Sequence, residues 1–141
     1  MTLRDVILAM ERLAASSPAV NTVVGNDVFD INALPSVKYG VFAWTQGEHR
    51  ADVSAGLIRY SFTLFYVDLL QNDGANRLQI QTAGIQMLGN LLLQLDAEDI
   101  VTDGEVTFRS FNQRFTDECA GVYTNVTLLV PMDTTCAENY D

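Results

Sequence analysis

The sequence predicts an α+β fold, with a mainly antiparallel sheet, a long β-hairpin and two helices packed against it in the order α-β-β-α-β-β. Three observations predict it. Two stretches carry apolar residues at helical spacing, and each precedes two stretches with strand-type alternation or β-branched density. Runs of strands between helices belong to α+β proteins, not to doubly wound parallel sheets. At 141 residues the chain has the length of one domain and can bury a core without metal or disulfide staples.

Leu3, Val6, Ile7, Met10, Leu13 and Ala14 form one helical stripe. Thr2 with Asp5 reads as a capping box at its start, and Ser16-Ser17-Pro18 ends it, because proline disfavours helix in the residue before it. Gly25-Asn26-Asp27 and Leu34-Pro35 are turn signals, so residues 19–36 read as an irregular connection with one short extended piece at Val28–Ile31. Val37–Thr45 is dense in β-branched and aromatic residues and reads as a strand. Gln46–Gly56 reads as a polar loop.

Leu57–Leu70 is the clearest strand. Ile58, Tyr60, Phe62, Leu64 and Tyr66 share one face, and Arg59, Ser61 and Thr63 share the other, continued by Phe65 and Val67. After the turn at Asn72-Asp73-Gly74 a second helix runs from about Asn76 to Leu95. Its expected buried stripe is Leu78, Ile85, Leu88, Leu92 and Leu95, widened by Ile80, Met87 and Leu91. Asn76, Gln79, Gln86, Asn90 and Gln94 make a neutral polar face. Gly84 and Gly89 each lower helix propensity, and close packing on the sheet explains both. Asp96–Gly104 reads as an acidic loop, and Glu105–Phe115 and Ala120–Val130 as two further strands. Residues 1–130 then form the domain, and residues 131–141, opened by Pro131, an acidic C-terminal tail.

As a straight strand, Leu57–Leu70 would span about 46 Å at ~3.3 Å per residue. A chain of this size has a diameter of about 37 Å. Either the strand bends at a bulge inside the monomer, or its hairpin projects and a neighbouring subunit covers the exposed edge.

Eighteen acidic residues stand against eight basic ones, for a net charge of −10. That argues against neutralising a nucleic-acid backbone and against an anionic membrane surface. No apolar run reaches the ~20 residues of a membrane span, and Met1–Asp5 does not read as the start of a secretory signal. Cys119 and Cys136 could pair, but free buried thiols suit a chain read as non-secreted. His49 lies near Glu48 and Asp52 with no nucleophile signature beside it, which makes Gln46–Gly56 a solvated interaction loop. Asp96, Glu98, Asp99, Asp103 and Glu105 offer oxygen ligands without the spacing of a calcium loop. Asn125-Val126-Thr127 matches a glycosylation sequon but falls inside a strand. We therefore expect no catalytic residue, no metal and no cofactor. Lys38 is the sole lysine beside seven arginines. Arginine suits fixed carboxylate pairs between surfaces, so Arg50, Arg59, Arg109 and Arg114 are subunit-interface candidates, together with Phe65.

Two local stretches, Ala83-Gly84-Ile85-Gln86-Met87-Leu88-Gly89-Asn90-Leu91-Leu92 and Phe111-Asn112-Gln113-Arg114-Phe115-Thr116-Asp117-Glu118-Cys119-Ala120-Gly121-Val122-Tyr123, join the element order in a family likeness. Up to about Val130 the chain resembles the tail-terminator and tail-completion proteins of bacteriophage necks. The second stretch is similar to one in structural proteins of gut phages, including crAss-like ones. The resemblance implies a homo-oligomeric ring in the virion neck or tail, made in the host cytoplasm. Such a ring acts as tail terminator or head-tail connector and joins the portal side to the tail. It contacts neighbouring neck and tail proteins and leaves a channel for DNA without sequence-specific binding. The family has no fixed active site, so no functional residue is carried over.

Two other readings stay open. One is a different tail structural subunit, such as a tube or stopper protein. The other is a small ligand-binding domain or enzyme with its site at Gln46–Gly56. Ten of the eighteen acidic residues flank the last two strands. In a ring, a negative lumen would repel phosphate and let DNA slide, which makes Asp99 and Asp103 channel-facing candidates. The acidic tail from Asp133 to Asp141 would clasp a neighbour.

Overall fold

A computed structural model describes residues 1–25, 38–71, 74–114 and 118–132. Helix α1 (Leu3–Ala15) starts at the expected capping box. The Thr2 hydroxyl accepts from the Asp5 amide at 3.2 Å, and the Asp5 carboxylate accepts from the Thr2 amide at 2.9 Å. That amide holds the Asp5 carboxyl below its usual range. Then follow β1 (Thr22–Gly25), β2 (Val41–Gln46), β3 (Arg50–Asp52), β4 (Leu57–Leu69), α2 (Arg77–Ala97), β5 (Val101–Thr102), β6 (Phe108–Arg114) and β7 (Glu118–Pro131). The fold is α+β as expected, but the order α-β-β-β-β-α-β-β-β corrects the simpler one.

Three short strands make the difference. β1 precedes the segment where an extended piece was expected, and Val28–Ile31 itself lies outside the described residues. β3 lies within the expected polar loop and β5 within the expected acidic loop. The sheet is mixed, because β1 runs parallel to β2 while the other pairs are antiparallel. Across it run β1, then β2 with β3, then β4, then β7, then β6 with β5.

β4 and β7 are paired at every residue from Leu57 opposite Pro131 to Leu69 opposite Cys119. The 13 residues of β4 cover about 43 Å at ~3.3 Å each. A bulge is present within the monomer, but not in β4 itself. β4 has no bulge in its register with β7, and β7 accompanies the hairpin to its tip. The bulge falls in the partner strand instead. Gln46 stands opposite Phe62, and Arg50 opposite Arg59, so the β2–β3 side holds one extra residue. β2 and β3 are thus one interrupted strand, and with β4 they form the long hairpin. The hairpin closes at Gly56, whose φ is 67° and whose amide donates to the Val53 carbonyl.

Both helices cover one sheet face. Phe42 and Trp44 of β2, Tyr60, Phe62, Leu64 and Tyr66 of β4, and Val122, Val126, Leu128 and Val130 of β7 are buried there with Val6, Met10 and Ala14 of α1. From α2 come Ile80, Met87, Leu88, Leu91, Leu92 and Leu95. The expected stripe on α2 needs correcting: Leu78 is 73% and Ile85 43% exposed, as is Leu93 at 71%. Gly84 supplies the reason. A Cβ there would lie 3.0 Å from Val122 Cγ2 and 3.2 Å from Tyr66 Cδ2, so the backbone of α2 rests on the sheet and its rotation is set. Nothing lies within 4 Å of a Cβ placed at Gly89, so close packing explains the first glycine and not the second. Asn76 leaves the polar face to brace the helix start, accepting from the Gln71 amide and donating to the Leu69 carbonyl.

α2 ends in a Schellman motif. The Ile100 amide donates to the Leu95 carbonyl and the Asp99 amide to the Asp96 carbonyl, with Asp99 at φ 66° and Ile100 fully buried. The Tyr66 hydroxyl donates to the Ala19 carbonyl at 3.2 Å, tying the segment after α1 to the sheet. Burial, with Asp68 nearby, pushes its pKa up to about 12.

Two outcomes are expected in urea denaturation. Gly89→Ala should stabilise by about 1 kcal/mol, because it gains helix propensity at no steric cost. Gly84→Val should destabilise by about 1–3 kcal/mol through overpacking. A third concerns Tyr66. The fold holds the neutral phenol, so this contribution is full below pH ~10, the unfolded value, and is lost as pH rises towards 12. Tyr66→Phe should flatten that alkaline loss when stability is followed across the same range.

Candidate functional site

Strand alternation sorts the residues of the face away from the helices. Paired residues of an antiparallel ladder point the same way, so each row can be read across the sheet. Nearest the hairpin tip, Arg59 of β4 lies opposite Leu129 of β7. Next come Ser61 with Thr127, their hydroxyls 3.4 Å apart, and Thr63, whose hydroxyl donates to Asn125 Oδ1 at 2.7 Å. The sequon asparagine is thus spent inside a central strand. The following row crosses four strands as Ala43, Phe65, Tyr123 and Arg109. The last rows hold Val41, Val67 and Cys119, which with Ala43 form a second small buried core.

Phe65, Tyr123 and Phe111 make a triangle of rings. Centroids stand 6.0 Å apart for Phe65 and Tyr123, 6.2 Å for Phe65 and Phe111, and 6.1 Å for Phe111 and Tyr123, all within the range of favourable aromatic pairs. Gly121 makes this possible. A Cβ there would lie 2.1 Å from the Tyr66 carbonyl oxygen and 2.7 Å from Phe111 Cζ, so the Phe111 ring crosses β7 only over a bare backbone. All three rings are half-buried, and Arg109 at the end of the row is exposed.

Of the five interface candidates, Phe65 and Arg109 therefore come together. Arg50 is exposed on β3, directly opposite Arg59. Like charges at that position repel, and Arg59 turns away to donate to Asp103 at 2.5 Å, with side chains 33% and 45% exposed. An expected interface arginine and an expected channel carboxylate thus neutralise each other. Asp99 is exposed and occupies the left-handed position that ends α2. Arg114 pairs with Glu118 through the β6–β7 ladder, and its side chain lies outside the described ones.

The Gln46–Gly56 residues serve the hairpin itself. His49 sits in the bulge, where its Nδ1 accepts from the Ser61 amide at 3.2 Å. That donor would otherwise face a strand carbonyl. Its Nε2 lies 2.9 Å from Gln46 Oε1, and its ring packs edge-on against Tyr60. Asp52 accepts from the Ala55 amide at 3.2 Å and the Ser54 hydroxyl at 3.0 Å, which together hold its carboxyl below its usual range. His49 and Asp52 are thus bonded to other groups rather than to each other. Among the described residues no three His, Cys, Asp or Glu side chains stand close enough to hold a metal ion. No helix among them is long and apolar enough to cross a membrane. Cys119 is fully buried. The tail read from residue 131 starts later than expected, because Pro131 ends β7 opposite Leu57 and the Met132 amide donates to the Gly56 carbonyl; Cys136 and the rest of the tail, residues 133–141, lie outside the described residues.

The sequence reading missed a second surface. Leu78, Ile85 and Leu93 stand exposed on α2. Beside Leu93 a mostly apolar groove of about 430 Å³ runs between α2 and the β5–β6 edge, lined by Leu92, Leu93, Val106 and Phe108 with Gly89, Thr102 and the carboxylate-bearing Asp96. The signal was the run Leu91-Leu92-Leu93, since three consecutive residues cannot all face one side of a helix. No protein-family model and no curated protein sequence matches the chain.

The bulge fixes the state of His49. An Nδ1 that accepts leaves the proton on Nε2, so long-range proton–nitrogen NMR at neutral pH should report the Nε2–H tautomer. His49→Ala should shift the Ser61 amide resonance and cost about 1 kcal/mol in denaturant melts.

Proposed function

We propose that this chain is a structural virion protein. It forms a homo-oligomeric ring in a phage neck or tail, as a tail terminator or head-tail connector, and leaves a channel for DNA. The observation that carries the reading is the cross-strand row on the sheet face away from the helices. Phe65, Tyr123 and Phe111 form a half-buried aromatic patch, and the exposed Arg109 stands at its rim. Aromatic residues and arginine are the side chains most enriched where proteins bind proteins. A ring needs a heterologous contact, in which one patch meets a different surface of the next subunit, and a patch on one sheet face can serve that geometry.

Two further points support it. Merging β3 into β2 and setting aside the short β1 and β5 leaves the element order on which the neck-protein resemblance rests. Arg59 and Asp103 cancel locally, so Asp99 remains the acidic candidate with unspent charge for a DNA-repelling lumen. In this reading the protein is not an enzyme. It is made in the host cytoplasm, acts in the particle, and touches neighbouring neck and tail proteins.

Light scattering and electron microscopy of the purified chain should give a closed ring. Arg109→Glu should lower the assembled mass without moving the melting temperature, since the residue is exposed. Mass spectrometry of purified particles should find one ring's worth of copies. A tube subunit would appear in many stacked rings, and absence from particles would overturn the proposal.

A further inference from the structure

Two aspartate–glycine pairs occur in the sequence, Asp73-Gly74 and Asp103-Gly104. In such a pair the glycine amide nitrogen can attack the preceding side-chain carboxyl, because no Cβ shields it. The two pairs are held differently. The Gly74 amide donates to the Gln71 carbonyl at 3.0 Å, just before α2. A nitrogen whose proton is held in that way is a poor nucleophile. The Gly104 amide donates to no group among the described residues. Asp103 and Gly104 are both exposed, on the connection from β5 to β6. Nothing lies within 4 Å of a Cβ placed at Gly104, so a small ring formed there would meet no neighbour.

One contact opposes the reaction. The Asp103 carboxylate reaches across β7 to Arg59 of β4 at 2.5 Å, while the Asp103 amide donates to the Thr127 carbonyl at 2.8 Å. Side chain and amide are thus both fixed to neighbouring strands. Ring closure needs the carboxyl to bring its carbon within about 3–3.5 Å of the Gly104 nitrogen and to release one oxygen. The guanidinium restrains both.

We infer that Asp103-Gly104 is a site of spontaneous isomerisation and that Arg59 is its guard. The Gly104 nitrogen bonds to Asp103 Cγ, the Cγ–O bond breaks, and the oxygen leaves as water with the amide proton and the carboxyl proton. Water then opens the five-membered imide at either carbonyl. Opening at Cγ restores aspartate. Opening at the Asp103 main-chain carbonyl breaks its bond to Gly104 and leaves the chain running through Cβ and Cγ as isoaspartate. Nothing is oxidised or reduced, and mass and charge end unchanged. The freed carboxylate then sits directly on Cα, one carbon nearer the main chain, so it no longer spans β7 to Arg59. Arg59 is left opposite Arg50 on the β3–β4 ladder with its charge uncompensated. The site belongs to the single chain and does not depend on a ring.

The purified full chain, held at physiological temperature and neutral pH over several weeks, provides the test. Isoaspartate is counted by enzymatic methylation with an isoaspartyl methyltransferase and located by electron-transfer fragmentation of peptides. It should accumulate at residue 103 and not at residue 73, whereas in urea, with both amides released, both residues should react. Arg59→Gln should raise the rate at residue 103 about two- to fivefold and leave residue 73 unchanged. Asp103→Glu, which would need a less favoured six-membered ring, should remove the native signal. Accumulation at residue 73 as fast as at residue 103 in the native chain would overturn the site. So would a native chain that forms none at residue 103 while the urea-treated chain does. A rate at residue 103 unchanged by Arg59→Gln, or one raised equally at residue 73, would overturn the guard.

Discussion

The unbroken pairing of β4 with β7 is the constraint on which the rest of the molecule depends. Because side chains alternate with a period of two, that register decides which face every residue of both strands occupies, and a slip of one residue would exchange the faces. It sends Tyr60, Phe62, Leu64 and Tyr66 under the helices, and with them Val122, Val126 and Leu128. It sends Arg59, Ser61, Thr63 and Phe65 to the other side. A bulge in either strand would break this sorting halfway along. The extra residue is confined to the β2–β3 edge instead, where the His49 side chain supplies the acceptor that the bulge removes from Ser61.

Two glycines carry the consequences outward, one on each face. Gly84 lets α2 settle on Val122 and Tyr66, and Gly121 lets Phe111 cross the backbone towards Phe65. Each sits where a Cβ would collide, so each sets the orientation of what lies above it. The seating at Gly84 has a second effect. It turns Ile80, Met87, Leu91 and Leu95 inward and leaves Leu78, Ile85 and Leu93 outside. The exposed apolar stripe is therefore the geometric counterpart of a close helix–sheet contact.

What the sequence made legible was local. The Thr2–Asp5 box, the alternation in Leu57–Leu70 and the break at Pro18 depend on residues a few positions apart, and their physics can be read without a fold. β3 and β5 have three and two residues and exist only because longer strands offer them an edge, so no periodicity could reveal them. The rotation of α2 was illegible for a related reason. Leucine and isoleucine occupy more than one side of the helix, and the contact at Gly84 chooses among the possible faces. The pairing of Arg59 with Asp103 joins residues far apart in sequence, and the β4–β7–β5 ladder brings them together. Of the candidate site, the residue types were readable in Phe65 and Arg109. Their shared row was not, because it depends on the register of four strands.

The distribution of charge connects these points. Acidic groups near the described core are largely engaged or kept at its margins. Glu98 pairs with Arg12 and holds the end of α2 to α1. Asp103 pairs with Arg59, Asp5 caps α1, and Asp52 shapes the hairpin turn. Among the described residues, two surfaces carry little negative charge: the aromatic row on the far side of the sheet and the outer side of α2 between Arg77 and Asp96. A chain with a net charge of −10 resists its own copies over most of its surface, because like charges accumulate wherever two such bodies meet. Those two surfaces are where charge opposes a contact least. Those two places lie on opposite sides of a helix–sheet sandwich, so occupying one leaves the other exposed. In the ring proposed above, a contact made through the aromatic row would therefore leave the outer side of α2 uncovered.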